Sequence, residues 1–143
     1  SELGTEVLIL ENERLRMAKV ERFEDLIAWQ KARVLTKDIY VLTGKTPVRK
    51  DRGLTGQLQR VAVSVMSNIA EGFERKRPNE FYHFLTIAKA SCAEVQSLLY
   101  VTLDVGYLHQ DDFAKLFQKT DEVLKVLGGL KLSVERQKRA QAS

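Results

Sequence analysis

Glu80 and His83 stand three residues apart on a stretch with helical periodicity, the Glu-x-x-His half-site that carboxylate-bridged di-iron and di-manganese bundles use. A working centre needs a second such pair and two further inward glutamates. The other histidine, His109, has Gly106 three positions before it. At 100° per residue, His83 falls on the side of its helix opposite Phe81 and Leu85. No metal site is therefore expected, and the pair reads as a surface histidine beside a carboxylate at a helix start. Asp111 and Asp112 are adjacent acids, but their place in the first turn of a helix gives them cap and dipole roles. Cys92, the single cysteine, falls among apolar helical positions, where a thiol behaves as a small buried hydrophobe. Neither histidine is spaced to activate it. No P-loop, dinucleotide glycine motif, serine elbow or cysteine-rich zinc pattern occurs. The residues predict no catalytic group, no cofactor and no enzyme.

The chemistry left is that of charge. The net charge is +4; residues 1–13 hold four glutamates and no base, so an acidic tip precedes a body of charge +8. Basic clusters occur at Arg49-Lys50-Asp51-Arg52, Arg75-Lys76-Arg77 and Arg136-Gln137-Lys138-Arg139. A basic body suits RNA or DNA, or an acidic protein partner. The expected nucleic-acid contacts are Arg49, Lys50, Arg52, Arg60, Arg75, Lys76 and Arg77.

Those clusters must be positioned by helices. Two prolines and eight glycines in 143 residues favour long helices over many short strands, and this length has room for one core. The first helix is expected over about 21–42 on Phe23, Leu26, Ile27, Ala32 (or Gln30), Val34, Leu35, Ile39 and Leu42, with Trp29 and Tyr40 widening the stripe. The second covers about 53–73, with Leu54, Leu58, Val61, Val65 and Ile69 on one face and a narrow polar stripe of mostly small residues opposite. The third covers about 78–105, opening on Pro78 with Glu80 in its first turn and closing before Gly106 in a left-handed cap. The fourth covers about 111–134, weakened by Gly128 and Gly129, and a polar tail of 135–143 follows. Residues 1–20 form an appendage, with Met17 just before the first helix. Short connections make neighbouring helices antiparallel, so the fold class is an all-α, up-down-up-down four-helix bundle. The second loop and both termini then share one end, where basic residues converge but acids nearly balance them.

Between Phe81 and Leu103 the only charges are Lys89 and Glu94. Phe84, Ala88, Cys92, Val95 and Leu99 continue the core face, while Thr86, Ala90, Ala93, Ser97 and Val101 lie on the far side, where a solvated helix would be charged. Together with Ser64, Ser67 and Asn68 of the second helix they are the expected interface of a homo-oligomer. No apolar run approaches a membrane span, and Val7-Leu8-Ile9-Leu10 is too short and too acidic in its flanks for a signal peptide. A cytoplasmic location is expected.

Several strings also carry a family likeness. They are Phe23-Glu24-Asp25-Leu26 with Trp29-Gln30-Lys31-Ala32, Gly53-Leu54 with Gln57-Leu58, Val63-Ser64-Val65, Ser67-Asn68-Ile69-Ala70-Glu71-Gly72-Phe73, Glu80-Phe81 with Phe84-Leu85, and Gly106-Tyr107-Leu108. In this order, over residues 20–108, they resemble the four-helix-bundle family encoded by intervening sequences in large-subunit ribosomal RNA genes, to which the accessory proteins of diversity-generating retroelements are related. Met66 replaces the family's usual proline before Ser-Asn, and His109 a serine-like cap. The resemblance implies a barrel-like homo-oligomer, commonly a pentamer, and for the retroelement branch a nucleic-acid or reverse-transcriptase partner. The expectation is a non-enzymatic, self-assembling helical protein that binds nucleic acid through basic loops, with a protein-interaction scaffold or reverse-transcriptase accessory as the alternative.

Overall fold

The computed structural model describes residues 20–142 and is all helical, with no strand among them. A 3-10 turn at Phe23–Asp25 leads into α1 (Ile27–Thr43), a second at Val48–Lys50 into α2 (Arg52–Glu74), and α3 (Pro78–Asp104) and α4 (Gln110–Ala142) follow. Each helix packs on its neighbours in sequence, and α1 and α4 also meet. Of the expected appendage, all but Val20 lies outside the described residues.

The first helix begins later than its periodicity suggests. Leu26 is buried but extended, with φ −72° and ψ 125°, and it separates the short turn from α1. The bend sets the Phe23 ring edge-on to Trp29 at 5.1 Å, and Gln30 Nε2 donates to the Glu24 carbonyl at 2.8 Å. The buried stripe is corrected too. It runs through Ala28, Ala32, Leu35, Ile39 and Leu42, while Ile27, Val34 and Tyr40 are exposed. Two interleaved apolar stripes exist on this helix; the one with alanines lets neighbouring helices come closer.

In α2, Asp51 caps the helix, its Oδ1 accepting the Leu54 N–H at 3.1 Å. Leu54, Leu58, Ala62, Val65 and Ile69 form the buried face, with Ala62 in the place expected of Val61, which is half-buried. Near its end Gly72 lies so close to α3 that an added Cβ would sit 2.5 Å from Phe84 Cβ and 3.0 Å from Phe81 Cδ1. Pro78 opens α3. At the other end Gly106 takes φ +80°, as its position predicts. Its N–H bonds to the Leu103 carbonyl and that of Tyr107 to Thr102, each at 3.0 Å, which is the Schellman arrangement.

The fourth helix is longer than expected, continuing past Val134 to Ala142. No breaker stands in 130–142, Glu135 and Arg139 form an i,i+4 pair at 3.4 Å, and Val134 is fully buried. The polar tail is a helical extension along the start of α3.

Polar side chains pin each helix pair. Thr36 Oγ1 of α1 donates to the Ala62 carbonyl of α2 at 3.1 Å. Ser64 of α2 and Ser91 of α3 share a hydroxyl bond of 2.9 Å. Gln96 of α3 donates to Thr120 Oγ1 and Asp121 Oδ1 of α4 at 2.9 and 2.8 Å. Lys31 with Glu122, and Lys119 with Asp38, join α1 to α4.

Three glycines should respond differently to alanine. Gly72→Ala is expected to cost about 1–3 kcal/mol through overpacking against Phe84. Gly106→Ala should cost about 1 kcal/mol because only its φ is strained. Gly128→Ala, mid-helix with its nearest neighbour at 4.0 Å, should instead gain up to about 1 kcal/mol. Urea unfolding of the three variants checks the order.

Candidate functional site

The sharp turn from α2 to α3 is where charged and aromatic residues gather. α2 ends at Glu74 and Pro78 opens α3, so residues 75–77 must reverse the chain. Lys76 does so with φ +60°, a left-handed conformation that side chains with a Cβ rarely take. Its N–H reaches the Phe73 carbonyl at 3.2 Å, and its ammonium lies 4.3 Å from the centre of the Phe73 ring. Arg75 lies over Phe84 at 5.3 Å. Glu80 is shared by Arg75 and Arg77, 3.8 Å from each.

The last turns of α4 pack beside this turn. Lys131 and Lys138, seven residues apart and so on one face, both approach the Tyr82 ring, at 4.9 and 5.7 Å. An open cleft of about 660 Å³ lies between Arg77, Asn79 and Glu80 on one side and Lys138 and Gln141 on the other. A second, of about 390 Å³, is floored by Phe73, Pro78 and Phe81 and rimmed by Lys76, Arg77 and Gln137. Val20 also lines it, so the chain enters the fold here. Among the described residues neither Lys76 nor Lys138 is in an ion pair.

The other expected contacts lie elsewhere. Arg49, Lys50 and Arg52 are exposed around the start of α2, about 33 Å along that helix from Arg75. Arg60 is exposed about two turns into it. The structure therefore does not join the two basic loops into one surface. The first loop is instead tied to the third, Tyr107 donating its hydroxyl hydrogen to Asp51 Oδ2 at 3.3 Å. The Asp51 carboxylate holds the Tyr107 phenol above its ordinary range. Tyr82, Phe73, Phe84, Lys131 and Lys138 were not among the expected contacts. The sequence did signal Lys138, in the cluster Arg136-Gln137-Lys138-Arg139 expected at the same end as the second loop, whereas the i,i+7 spacing with Lys131 matters only once the tail is helical.

Of the expected interface residues, Thr86, Ala90, Ala93, Ser97 and Val101 are all exposed on α3, and Ser67 is exposed on α2. Ser64 and Asn68 are half-buried. Ser64 bonds to Ser91, and Asn68 Nδ2 donates to the Ser64 carbonyl at 2.8 Å, so their polar atoms serve the α2–α3 contact. Among the described residues no cluster of three or more His, Cys, Asp or Glu could hold a metal ion. His83 is exposed beside Phe84. Cys92 is buried, donates to the Thr120 carbonyl at 3.5 Å, and burial pushes its thiol up to about 12. The arrangement holds Arg75, Lys76, Lys131 and Lys138 over half-buried rings at one end of the molecule.

No described helix is long and apolar enough to cross a membrane. A small four-helix protein with charged and aromatic residues gathered at one end is thus the class at hand. The sequence profile of the 23S rRNA-intervening sequence proteins matches residues 24–129, and the chain belongs to that family. It is also similar to the crystal structure of a protein with unknown function from the S23 ribosomal protein family of Bacteroides thetaiotaomicron. The two are 18% identical, the match covers 73% of this chain and 95% of that one, and the TM-score is 0.68. At this identity the likeness shows a shared fold. Among curated proteins, none matches the chain.

Two outcomes follow from local chemistry. At pH 8 a thiol with its pKa near 12 is ionised in about one molecule in ten thousand, so Cys92 should be inert to Ellman's reagent until urea unfolds the chain. Its contribution to stability is full below about pH 9 and falls as pH rises towards 12, because the unfolded thiol ionises first. Lys76→Gly relieves about 1–2 kcal/mol of left-handed strain, and loses about 0.5–1 kcal/mol of contact with Phe73. Urea unfolding should find it as stable as the native chain or up to about 1.5 kcal/mol more so.

Proposed function

We propose that this chain is a non-enzymatic, self-assembling protein that binds nucleic acid at the end formed by the α2–α3 turn and the last turns of α4. The observation that carries this reading is the placing of Arg75, Lys76, Lys131 and Lys138 over aromatic rings at one end, where Lys138 lines one open cleft and Lys76 another. A cation held over a ring at an exposed site is only weakly engaged there and keeps its charge available for a phosphate. Retaining a strained Lys76 where glycine would fit more easily agrees with a role beyond folding. The basic first loop, with Arg49, Lys50 and Arg52, and Arg60 further along α2, serve as secondary contacts.

In this reading the helices run up-down-up-down, as connections over 44–51, 75–77 and 105–109 favour. Copies meet through the exposed α3 face of Thr86, Ala90, Ala93, Ser97 and Val101. Val101 is 44% exposed, and Thr86 spends its hydroxyl on the Tyr82 carbonyl at 3.0 Å, leaving a surface of methyl groups around the Ser97 hydroxyl. A ring of five copies, as the family resemblance implies, would repeat the basic end around one rim and multiply weak contacts.

The test is fluorescence anisotropy with single-stranded and duplex RNA and DNA over a range of salt. Binding should weaken linearly on a log–log plot, and replacing Arg75, Lys76 and Arg77 by Gln should reduce the slope by about one per lost phosphate contact, whatever the sequence. No affinity at low salt, or affinity indifferent to salt, would overturn the reading. For assembly, light scattering at micromolar concentration should return a multiple of 16.3 kDa, falling to the single mass in Ala93→Glu. A native monomer sinks that part.

A further inference from the structure

Of the two apolar stripes on α1, the fold buries one and leaves the other outside. Ile27, Val34 and Val41 follow one another at intervals of seven, which puts them on one side of the helix, and they are 37, 52 and 51% exposed. Val34 borders a shallow cleft with Lys31, Lys119 and Glu122, and Val41 a wider one of about 410 Å³ over Leu42 and Leu116. This row therefore runs along the groove between α1 and α4. β-Branched residues repeated every seven positions are the knobs of a helix-to-helix seam.

A surface that fits them lies across the molecule. α1 packs on α2 and α4, and α3 packs on the same two, so α1 and α3 stand diagonally and their outer faces look in opposite directions. The outer face of α3 is made of small exposed residues, Ala90, Ala93 and Ser97 among them, which leave holes where the α1 row is bulky. The heights agree as well. Thr36 of α1 meets the Ala62 carbonyl, and Ser64, two residues further along α2, meets Ser91 of α3. Thr43 with Gln59 and Gly72 beside Phe84 set both pairs antiparallel, so α1 and α3 run the same way. At about 1.5 Å per residue, Val34 comes level with the stretch around Ala90, and Val41 with that around Ser97. A copy displaced sideways at the same height thus sets a row of bulky residues against a row of small ones over about 21 Å. Charge agrees too: Lys37 comes level with Glu94 on the same flank, both exposed and neither in an ion pair among the described residues. On the other flank Lys31, already paired with Glu122 at 3.5 Å, comes level with Lys89 and adds no attraction.

We propose that copies of this chain join head to tail, the row of Ile27, Val34 and Val41 on one copy docking on the α3 face around Ala90 and Ser97 of the next. The inference rests on the self-assembly reading above and supplies the second surface that the α3 face meets. The two surfaces differ and lie on opposite sides, so every docking leaves one of each free. Growth then stops only when the series of contacts closes on itself. In this arrangement two α3 faces never meet.

Paired cysteines in the full chain test the contact. Under mild oxidation, Val34→Cys with Ala90→Cys in one chain should give covalent species at multiples of 16.3 kDa on a non-reducing gel, as should Val41→Cys with Ser97→Cys. Each of these substitutions alone should give none. Val34→Cys with Ser97→Cys is about 10 Å out of level and should also give none, because a disulfide needs Cβ atoms about 4 Å apart. The native Cys92 is buried and stays out of the exchange. Val34→Glu changes an exposed position and should bring light scattering at micromolar concentration down to the single mass. A covalent dimer from Ala90→Cys alone would overturn the proposal, since α3 faces would then be meeting each other. Equal yields from the out-of-level pair overturn it, and so does a Val34→Glu chain that still assembles. With the native chain assembled, no link from either matched pair removes the head-to-tail contact and leaves the self-assembly reading standing. A native chain of single mass removes that reading and this inference with it.

Discussion

At Gly72, α2 and α3 approach so closely that no side chain fits between the α2 backbone and Phe84. That contact governs the end of the molecule where its charges gather. Two helices so near each other can be joined by only a few residues, and the turn at 75–77 must reverse the chain at once. Lys76 then has to take a left-handed backbone, and Arg75 and Lys76 leave the turn over Phe84 and Phe73. A tighter helix pair thus produces both the strain and the display of cations.

The same end illustrates how little each contact contributes alone. Arg75 and Arg77 share Glu80 at 3.8 Å with largely exposed side chains, and such pairs contribute about 0–1 kcal/mol. Cation–π contacts at exposed sites are similar, about 0.5–1 kcal/mol. The lysines over Tyr82 and Phe73 are therefore positioned rather than locked. Stability comes from elsewhere, from the continuous core of Leu35, Ile39, Leu58, Ile69, Leu85, Leu99 and Leu127 and from polar pins at each helix pair. The pins cost little because every donor finds a partner, and they fix the register of helices whose leucines alone could slide.

Membership in the 23S rRNA-intervening sequence family covers the bundle, residues 24–129, but not the last turns of α4. The cleft is therefore a composite, with one wall inside the shared fold and the other, with Lys138 and Gln141, beyond it. The α2–α3 turn lies inside the matched segment and the last turns of α4 lie after it. The outward face of α3 is different in kind: small, uncharged and contained within the shared segment.

The four helices, the cap at Gly106, the start of α3 at Pro78 and the burial of Cys92 were legible in the residues, because local propensity and period decide them. The clusters Arg49 to Arg52 and Arg75 to Arg77 were legible as charge. Other features depended on distance between segments. Whether α1 buries Ala28 and Ala32 or Ile27 and Val34 is set by how near α2 and α4 come, since both stripes have a helical period. The length of α4 past Val134 depends on α3 lying alongside to receive Lys138, for a polar tail has no pattern of its own. Ser64 and Asn68 look like surface residues until Ser91 is opposite them. Sequence alone thus determined which residues are helical and which are charged, through interactions a few positions apart. Only the tertiary structure decided which of two faces is inside and which cations share a cleft, because those depend on helix-to-helix approach, and Gly72 limits that approach through atoms on another helix.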